Sequence, residues 1–123
     1  MEKTILLVDD EIEIIDIQKR YLIQAGYQVL VARDGLEGLD IFRKKTVDLI
    51  ITDIMMPKMD GYKATQKIRH LPDKDKACIP IIAMTASAFE EDKREAIAAG
   101  MNGHIAKPID VNELMAILVK NTR

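Results

Sequence analysis

Along this chain, short runs of β-branched and leucine residues take turns with stretches in which apolar residues recur every three or four positions. Lys3 to Val8 reads as a strand ending in Asp9-Asp10-Glu11, and Ile12, Ile15, Leu22 and Ala25 then follow at helical spacing. Gly26 is placed to stop that helix as a left-handed cap, and Tyr27 to Ala32 is a second strand. Asp34 with Glu37 forms a capping box, and Leu36, Leu39 and Phe42 mark a second helix. From Asp48 comes a nearly continuous apolar run, Leu49 to Ile51, too short for a buried helix and suited to a strand covered on both faces. It delivers Asp53 at its end. Met56-Pro57 leaves the strand, and Asp60-Gly61 turns into a third helix with Ala64, Ile68 and Leu71 on one side. Pro72 to Lys76 reads as a polar exposed loop, Ile79 to Thr85 as the fourth strand, and Ser87 with Glu90 as another capping box opening a helix that Gly100 closes. Gly103 to Ala106 is a brief fifth strand ended by Lys107-Pro108. Asp110 with Glu113 caps the last helix, whose apolar positions are Val111, Leu114, Met115, Leu118 and Val119.

Strands alternating with helices through short linkers imply a doubly wound α/β fold with five parallel strands and five helices. Its crossovers are expected to be right-handed. With no long repeat, low-complexity tract or Gly/Pro/Ser-rich linker, residues 1–123 are expected to form a single domain.

Strands in such a sheet all point their C-terminal ends at one edge, so the residues that finish them become neighbours. Those residues are Asp9, Asp10, Asp53, Thr85 and Lys107. Carboxylates crowded together repel unless a cation offsets them. Oxygen-only ligands with no cysteine or histidine nearby favour Mg²⁺, an ion that keeps several waters and works beside phosphate. Asp53 is then placed as a nucleophile able to form an acyl phosphate, with Lys107 as a positive point charge and the Thr85 hydroxyl as a donor to a phosphoryl oxygen. Each residue alone has an ordinary reading: Asp10 with Glu13 fits a helix capping box, Asp53 a loop acid, Thr85 a strand end and Lys107 a solvated side chain. The conjunction after successive strands is what points to phosphoryl chemistry.

A net charge of −2 and the absence of a Lys/Arg block argue against electrostatic contact with nucleic acid. No charged-then-apolar leader and no apolar run near ~20 residues argue against a signal segment or a membrane span. The lone Cys78, just before Ile79-Pro80-Ile81, is expected to be a small buried hydrophobe in a reducing, cytoplasmic setting.

Val8-Asp9-Asp10-Glu11, Thr52-Asp53 through Asp60-Gly61, Met84-Thr85-Ala86 and Ala106-Lys107-Pro108 resemble, in order and spacing, the motifs of the receiver domain of two-component response regulators. The resemblance runs from Lys3 to the final helix. It implies a flavodoxin-like three-layer sandwich with strand order 2-1-3-4-5. It also implies that Asp53 accepts a phosphoryl group from a partner's phosphohistidine, carried by a sensor histidine kinase or a histidine phosphotransfer protein. By the same resemblance Asp10, Asp53 and the Met55 carbonyl bind Mg²⁺ directly and Asp9 through water. Thr85 and Lys107 contact the phosphoryl group, and small Ala86 leaves it room. One position departs: where many receivers carry a Tyr or Phe that turns inward, this chain has His104. The tail from Gly100 to Ile109 looks more like receivers attached to hybrid sensor kinases than like those of DNA-binding regulators.

Phosphorylation adds charge and acceptor oxygens at Asp53, and the expected reader is the segment from Thr85 to Phe89. Drawing Thr85 inward would shift the helix capped through Ser87 and alter a target-binding face bordered by Phe89, Met101, His104 and Lys107-Pro108. Rival readings are a Mg²⁺-dependent aspartyl phosphatase, a flavin-binding module and a degenerate receiver serving only as an interaction surface. The phosphatase would want Asp-x-Asp after the first strand and a cap. The flavin module needs a hydroxyl- and glycine-rich loop where this chain puts acids, and the intact acidic set argues against the degenerate reading. The expectation is therefore a phosphoacceptor rather than an enzyme. A stand-alone chain and a receiver excised from a longer protein both remain open.

Overall fold

The computed structural model describes residues 3–54, 59–85, 90–106 and 110–121. In chain order the elements are β1 Thr4–Val8, α1 Ile12–Gln24, β2 Gln28–Ala32, α2 Gly35–Lys44, β3 Leu49–Asp53 and α3 Gly61–Arg69. Then follow α4 Lys74–Ala77, β4 Ile81–Thr85, α5 Glu90–Ala98, β5 Gly103–Ala106 and α6 Val111–Asn121. All five strands are parallel, in the order β2-β1-β3-β4-β5, as the resemblance implies. Both faces are covered. Leu6, Val8, Ile50, Ile81 and Ala83 pack against Leu39, Phe42, Ala64, Ile68 and Ala96 of α2, α3 and α5. Ile5, Leu7, Leu49, Ile51, Ile82, Met84 and Ile105 face Leu22 of α1 with Leu114 and Leu118 of α6. Every residue of β3 and β4 is buried, which is why those stretches read as apolar runs rather than as alternations.

The helix boundaries follow the capping chemistry. Side chains of Asp34, Asp60 and Asp110 accept from the backbone N–H groups of Glu37, Lys63 and Glu113, satisfying donors that the first turn leaves over. Gly26 and Gly100 close α1 and α5 with φ of 95° and 103°, the left-handed region that the sequence asks of them.

Several expectations are corrected. Among the described residues there are six helices where five were expected, the addition being the short α4, formed where Asp73 accepts from the N–H groups of Asp75 and Lys76. Asp10 and Glu13 form no capping box: the N-cap of α1 is Glu11, whose own N–H donates to Asp9 Oδ1 at 2.9 Å. Ile12 and Ala25 are exposed at the two ends of α1. Leu36 points to solvent because Gly35 and Gly38 take the inward positions of α2. In α6 Val119 is exposed while Ile117 packs against the core. Cys78 is exposed rather than buried, since it terminates α4. Met101 is buried and offers no surface to a target. The Ser87 capping box lies outside the described residues.

Candidate functional site

Strand register builds the site. Val8 is paired with Thr52, so Asp9 and Asp53 each stand one step past the same rung. Asp53 is paired with Met84, which sets Thr85 one residue further along β4, and Thr85 is paired with Ala106. The ladder continues briefly past the strand ends: Asp9 N–H donates to the Ala32 carbonyl at 3.1 Å, and Ile54 N–H to the Met84 carbonyl at 3.2 Å. These bonds hold the backbone on either side of the acids.

Carboxylate oxygens of Asp9, Asp10, Glu11 and Asp53 all lie within 4.8 Å of one another. Asp9 and Asp53 form the buried floor, 2% and 5% exposed, and Thr85 is also buried, whereas Asp10 and Glu11 line the open side. An oxygen-only set of this size, half sunk and half open, suits a hard divalent cation that retains water; thiol- or imidazole-preferring metals would find no ligand of their kind in it. Among the sequence-expected residues, Asp9, Asp10 and Asp53 are thus brought together. Thr85 finishes the strand beside Asp53, and half-buried His104 lies on β5 across from Ala83. Met55, Ala86 and Lys107 lie outside the described residues. Glu11 is an acid of this cluster that sequence reasoning took for loop only. Its signal was its place as the third acid of an unbroken run.

Backbone contacts fix the segment that follows Asp53. Thr52 Oγ1 donates to the Asp53 carbonyl at 2.9 Å, and Gly61 N–H donates to the Ile54 carbonyl at 3.0 Å. A Cβ on Gly61 would stand 2.6 Å from the Asp53 carbonyl oxygen, so α3 can begin this close to the strand only with glycine there. From the other side Gly35 N–H donates to the Met59 carbonyl at 3.1 Å, where a Cβ would stand 2.2 Å from that oxygen. The turn between β2 and α2 is therefore held tightly against Met59, and Arg33 of the same turn donates to the Asp10 carbonyl at 3.2 Å. Gly35→Ala is expected to push the Met59 carbonyl away and destabilise the fold by about 1–3 kcal/mol, the usual range for overpacking a tight contact. Urea unfolding measures this, and a loss below about 0.5 kcal/mol would show that the contact yields freely.

The family described as response regulator receiver domain matches residues 5–119. This chain belongs to that family. As a receiver domain it is a module of two-component signal transduction. It is 37% identical over 120 residues to the probable transcriptional regulator ycf29 of Pyropia yezoensis, covering 96% of this chain and 52% of that protein. The chain thus spans about half the length of that relative. Among solved structures it is similar to the receiver domain of sensor histidine kinase PA1611 from Pseudomonas aeruginosa, which has a magnesium ion coordinated in its active site cleft. That match has a TM-score of 0.89 and 34% identity, over 99% of this chain and 98% of that one. It is similar as well to the receiver domain of the Saccharomyces cerevisiae response regulator Ssk1, solved with the histidine phosphotransfer protein Ypd1. There the TM-score is 0.92 at 25% identity, over 98% and 89% of the two chains. Among the described residues, no helix is long and apolar enough to cross a membrane.

Proposed function

We propose that Asp53 is the phosphoacceptor of this receiver domain and that residues 1–123 act as one signalling unit in the cytoplasm. The observation that carries the reading is the cluster of Asp9, Asp10, Glu11 and Asp53 at the C-terminal edge of the parallel sheet, with Thr85 ending the neighbouring strand. In the reaction an Asp53 carboxylate oxygen attacks the phosphorus of a partner's phosphohistidine. The P–O bond forms as the P–N bond breaks, and the departing imidazole keeps the electron pair and picks up a proton. By the family motifs, Asp10, Asp53 and the Met55 carbonyl would hold Mg²⁺, and Asp9 would contribute through water. That ion supplies charge neutralisation for the phosphoryl oxygens. Thr85 donates its hydroxyl to one of those oxygens, Lys107 offers a compact positive charge, and Ala86 leaves space for the group. These assignments of Met55, Lys107 and Ala86 rest on the family motifs alone.

A sensor histidine kinase or a histidine phosphotransfer protein is the donor, a reading supported by the complex of Ypd1 with Ssk1. The likeness to the PA1611 receiver supports both Mg²⁺ and a place within a hybrid sensor kinase. Output passes through Thr85 to a protein target, with His104 standing where other receivers carry the aromatic half of the switch, and involves no direct nucleic-acid contact. An exposed free Cys78 suits the reducing cytoplasm. The decisive experiment is intact-protein mass after incubation with acetyl phosphate, with Mg²⁺ and with the metal chelated. A single phosphoryl adduct is expected, strongly reduced on chelation. No adduct even from a phosphohistidine donor would favour the degenerate, interaction-only reading.

A further inference from the structure

Among the described residues, one polar side chain is sunk in the otherwise apolar layer between the sheet and α1 and α6. Gln18 lies on the buried face of α1 between Ile15 and Leu22, 1% exposed, and its Nε2–H donates to the Met84 thioether sulfur at 2.9 Å. Met84 is itself 2% exposed and stands at a junction. It is the strand partner of Asp53, its carbonyl accepts the Ile54 N–H, and Thr85 follows it directly. At the other end of the contact, α1 is the helix that the acids Asp9, Asp10 and Glu11 lead into.

Stability gives little reason for this arrangement. Thioether sulfur is a weak acceptor, and burying a carboxamide carries a desolvation penalty that a leucine in the same layer would avoid. A Leu at this position would continue the Ile15 and Leu22 stripe. What the amide provides is direction: it fixes α1 against β4 by an oriented contact, where packing alone would allow the two to slide. The acids at the head of α1 and the Asp53–Thr85 strand ends must keep their spacing for in-line phosphoryl transfer, and displacements well below an ångström matter to such chemistry.

We infer that Gln18 is a positioning residue for phosphoryl transfer, holding the acidic loop of α1 in register with Asp53 and Thr85 through Met84. The inference rests on the phosphoacceptor reading above. Its test is a double-mutant cycle of Gln18→Leu, Met84→Leu and the pair, following adduct formation from acetyl phosphate by intact mass and unfolding by heat. Gln18→Leu is expected to unfold no lower than the parent chain yet to gain phosphate about three- to tenfold more slowly, the effect of one lost neutral hydrogen bond. Adding Met84→Leu should then slow it no further. A purely structural glutamine would move the unfolding temperature and leave the rate alone. Parental rates in Gln18→Leu, or slowing in the pair equal to the product of the single effects, would overturn the assignment. Should the leucine variant not fold, Gln18→Asn, which keeps the amide but shortens its reach, is measured the same way. Failure of the underlying reading shows separately, as a parent chain that takes no phosphoryl group from any donor.

Discussion

Replacing Asp53 by asparagine is expected to abolish the phosphoryl adduct completely while the chain stays folded. The substitution keeps the shape of the side chain and removes only the anionic oxygen, and a carboxamide does not form an acyl phosphate. The result is informative because Asp53 has three competitors of the same chemistry within 4.8 Å. Asp9 is occupied, its Oδ1 accepting the Glu11 N–H, whereas Asp10 and Glu11 are exposed and line the open side. Asp53 differs from all three in being anchored on a fully buried strand, with Thr52 and Gly61 bracing its backbone. Taking one negative charge out of a crowded acidic cluster relieves repulsion, so the variant should unfold no lower than its parent in the absence of metal. Intact mass and a thermal unfolding curve read both expectations. A full adduct on the folded variant would hand the acceptor role to Asp10 or Glu11.

The gathering of Asp9, Asp10, Asp53 and Thr85 at one edge was legible because a parallel sheet leaves little choice. Once Leu49–Ile51 and Ile81–Met84 are recognised as strands buried on both faces, the residues that end them must share an edge, and register does the rest. Caps at Asp34 and Asp110 were legible for a similar reason, since a short acceptor at a fixed offset before an apolar stripe has one efficient use, whereas Asp60 was read as a turn and caps α3 as well. The ordinary reading of Asp10 as a capping residue fails because the offset to Glu13 occurs there by accident. Asp9 takes the Glu11 amide first, which leaves the Asp10 carboxylate to the acidic cluster.

Local patterns also failed where a neighbour decides. Leu36 fits a helical stripe, yet α2 approaches β1 closely through Gly38, where a Cβ would already be 3.0 Å from Val8 Cγ2, and Gly35 sits against the Met59 backbone. The stripe is therefore rotated and Leu36 left outside. Cys78, just before an apolar run, reads as a small buried hydrophobe, but the capping of α4 by Asp73 holds it exposed at a helix end instead. Gln18 stands at an apolar position of its helix, three after Ile15 and four before Leu22, and the helical reading passed over it. Its partner Met84, 66 residues away in sequence, was not visible either. Side chains that seek backbone carbonyls leave no periodic trace at all, and Arg69 is the strongest instance.

Arg69→Met is expected to destabilise the chain by about 3–5 kcal/mol, among the largest effects of any single substitution away from the acids. From the last turn of α3 its guanidinium donates Nε–H to the Gly100 carbonyl at 2.8 Å, Nη1–H to the carbonyls of Ala77 and Ile79 at 2.8 and 2.7 Å, and Nη2–H to Asn102 Oδ1 at 2.7 Å. The same Asn102 oxygen accepts the Ile81 N–H at 2.9 Å, and Asn102 N–H returns a bond to the Ile81 carbonyl at 2.7 Å. One side chain thereby joins α3, α4, the start of β4 and the turn into β5. All four acceptors are neutral. Burial accordingly pulls the guanidinium below its ordinary pKa, with the nearby Cys78 thiol pulling the other way, and the group remains a cation at neutral pH. Methionine matches the bulk but takes the donor away from the Gly100, Ala77 and Ile79 carbonyls, leaving Asn102 Oδ1 with the Ile81 N–H alone. Arg69→Lys keeps the charge but not the planar fork, so it should recover only part of the loss. Urea unfolding at constant m-value measures both variants, and a methionine variant within about 1 kcal/mol of the parent would refute the staple. The staple grips the N-terminal ends of β4 and β5, while Asp53 and Thr85 stand at the C-terminal edge. Below its lowered melting temperature Arg69→Met should therefore still take up one phosphoryl group at close to the parental rate. That separation of stability from chemistry follows from the strands themselves, which are rigid along their length and carry the staple at one end and the site at the other.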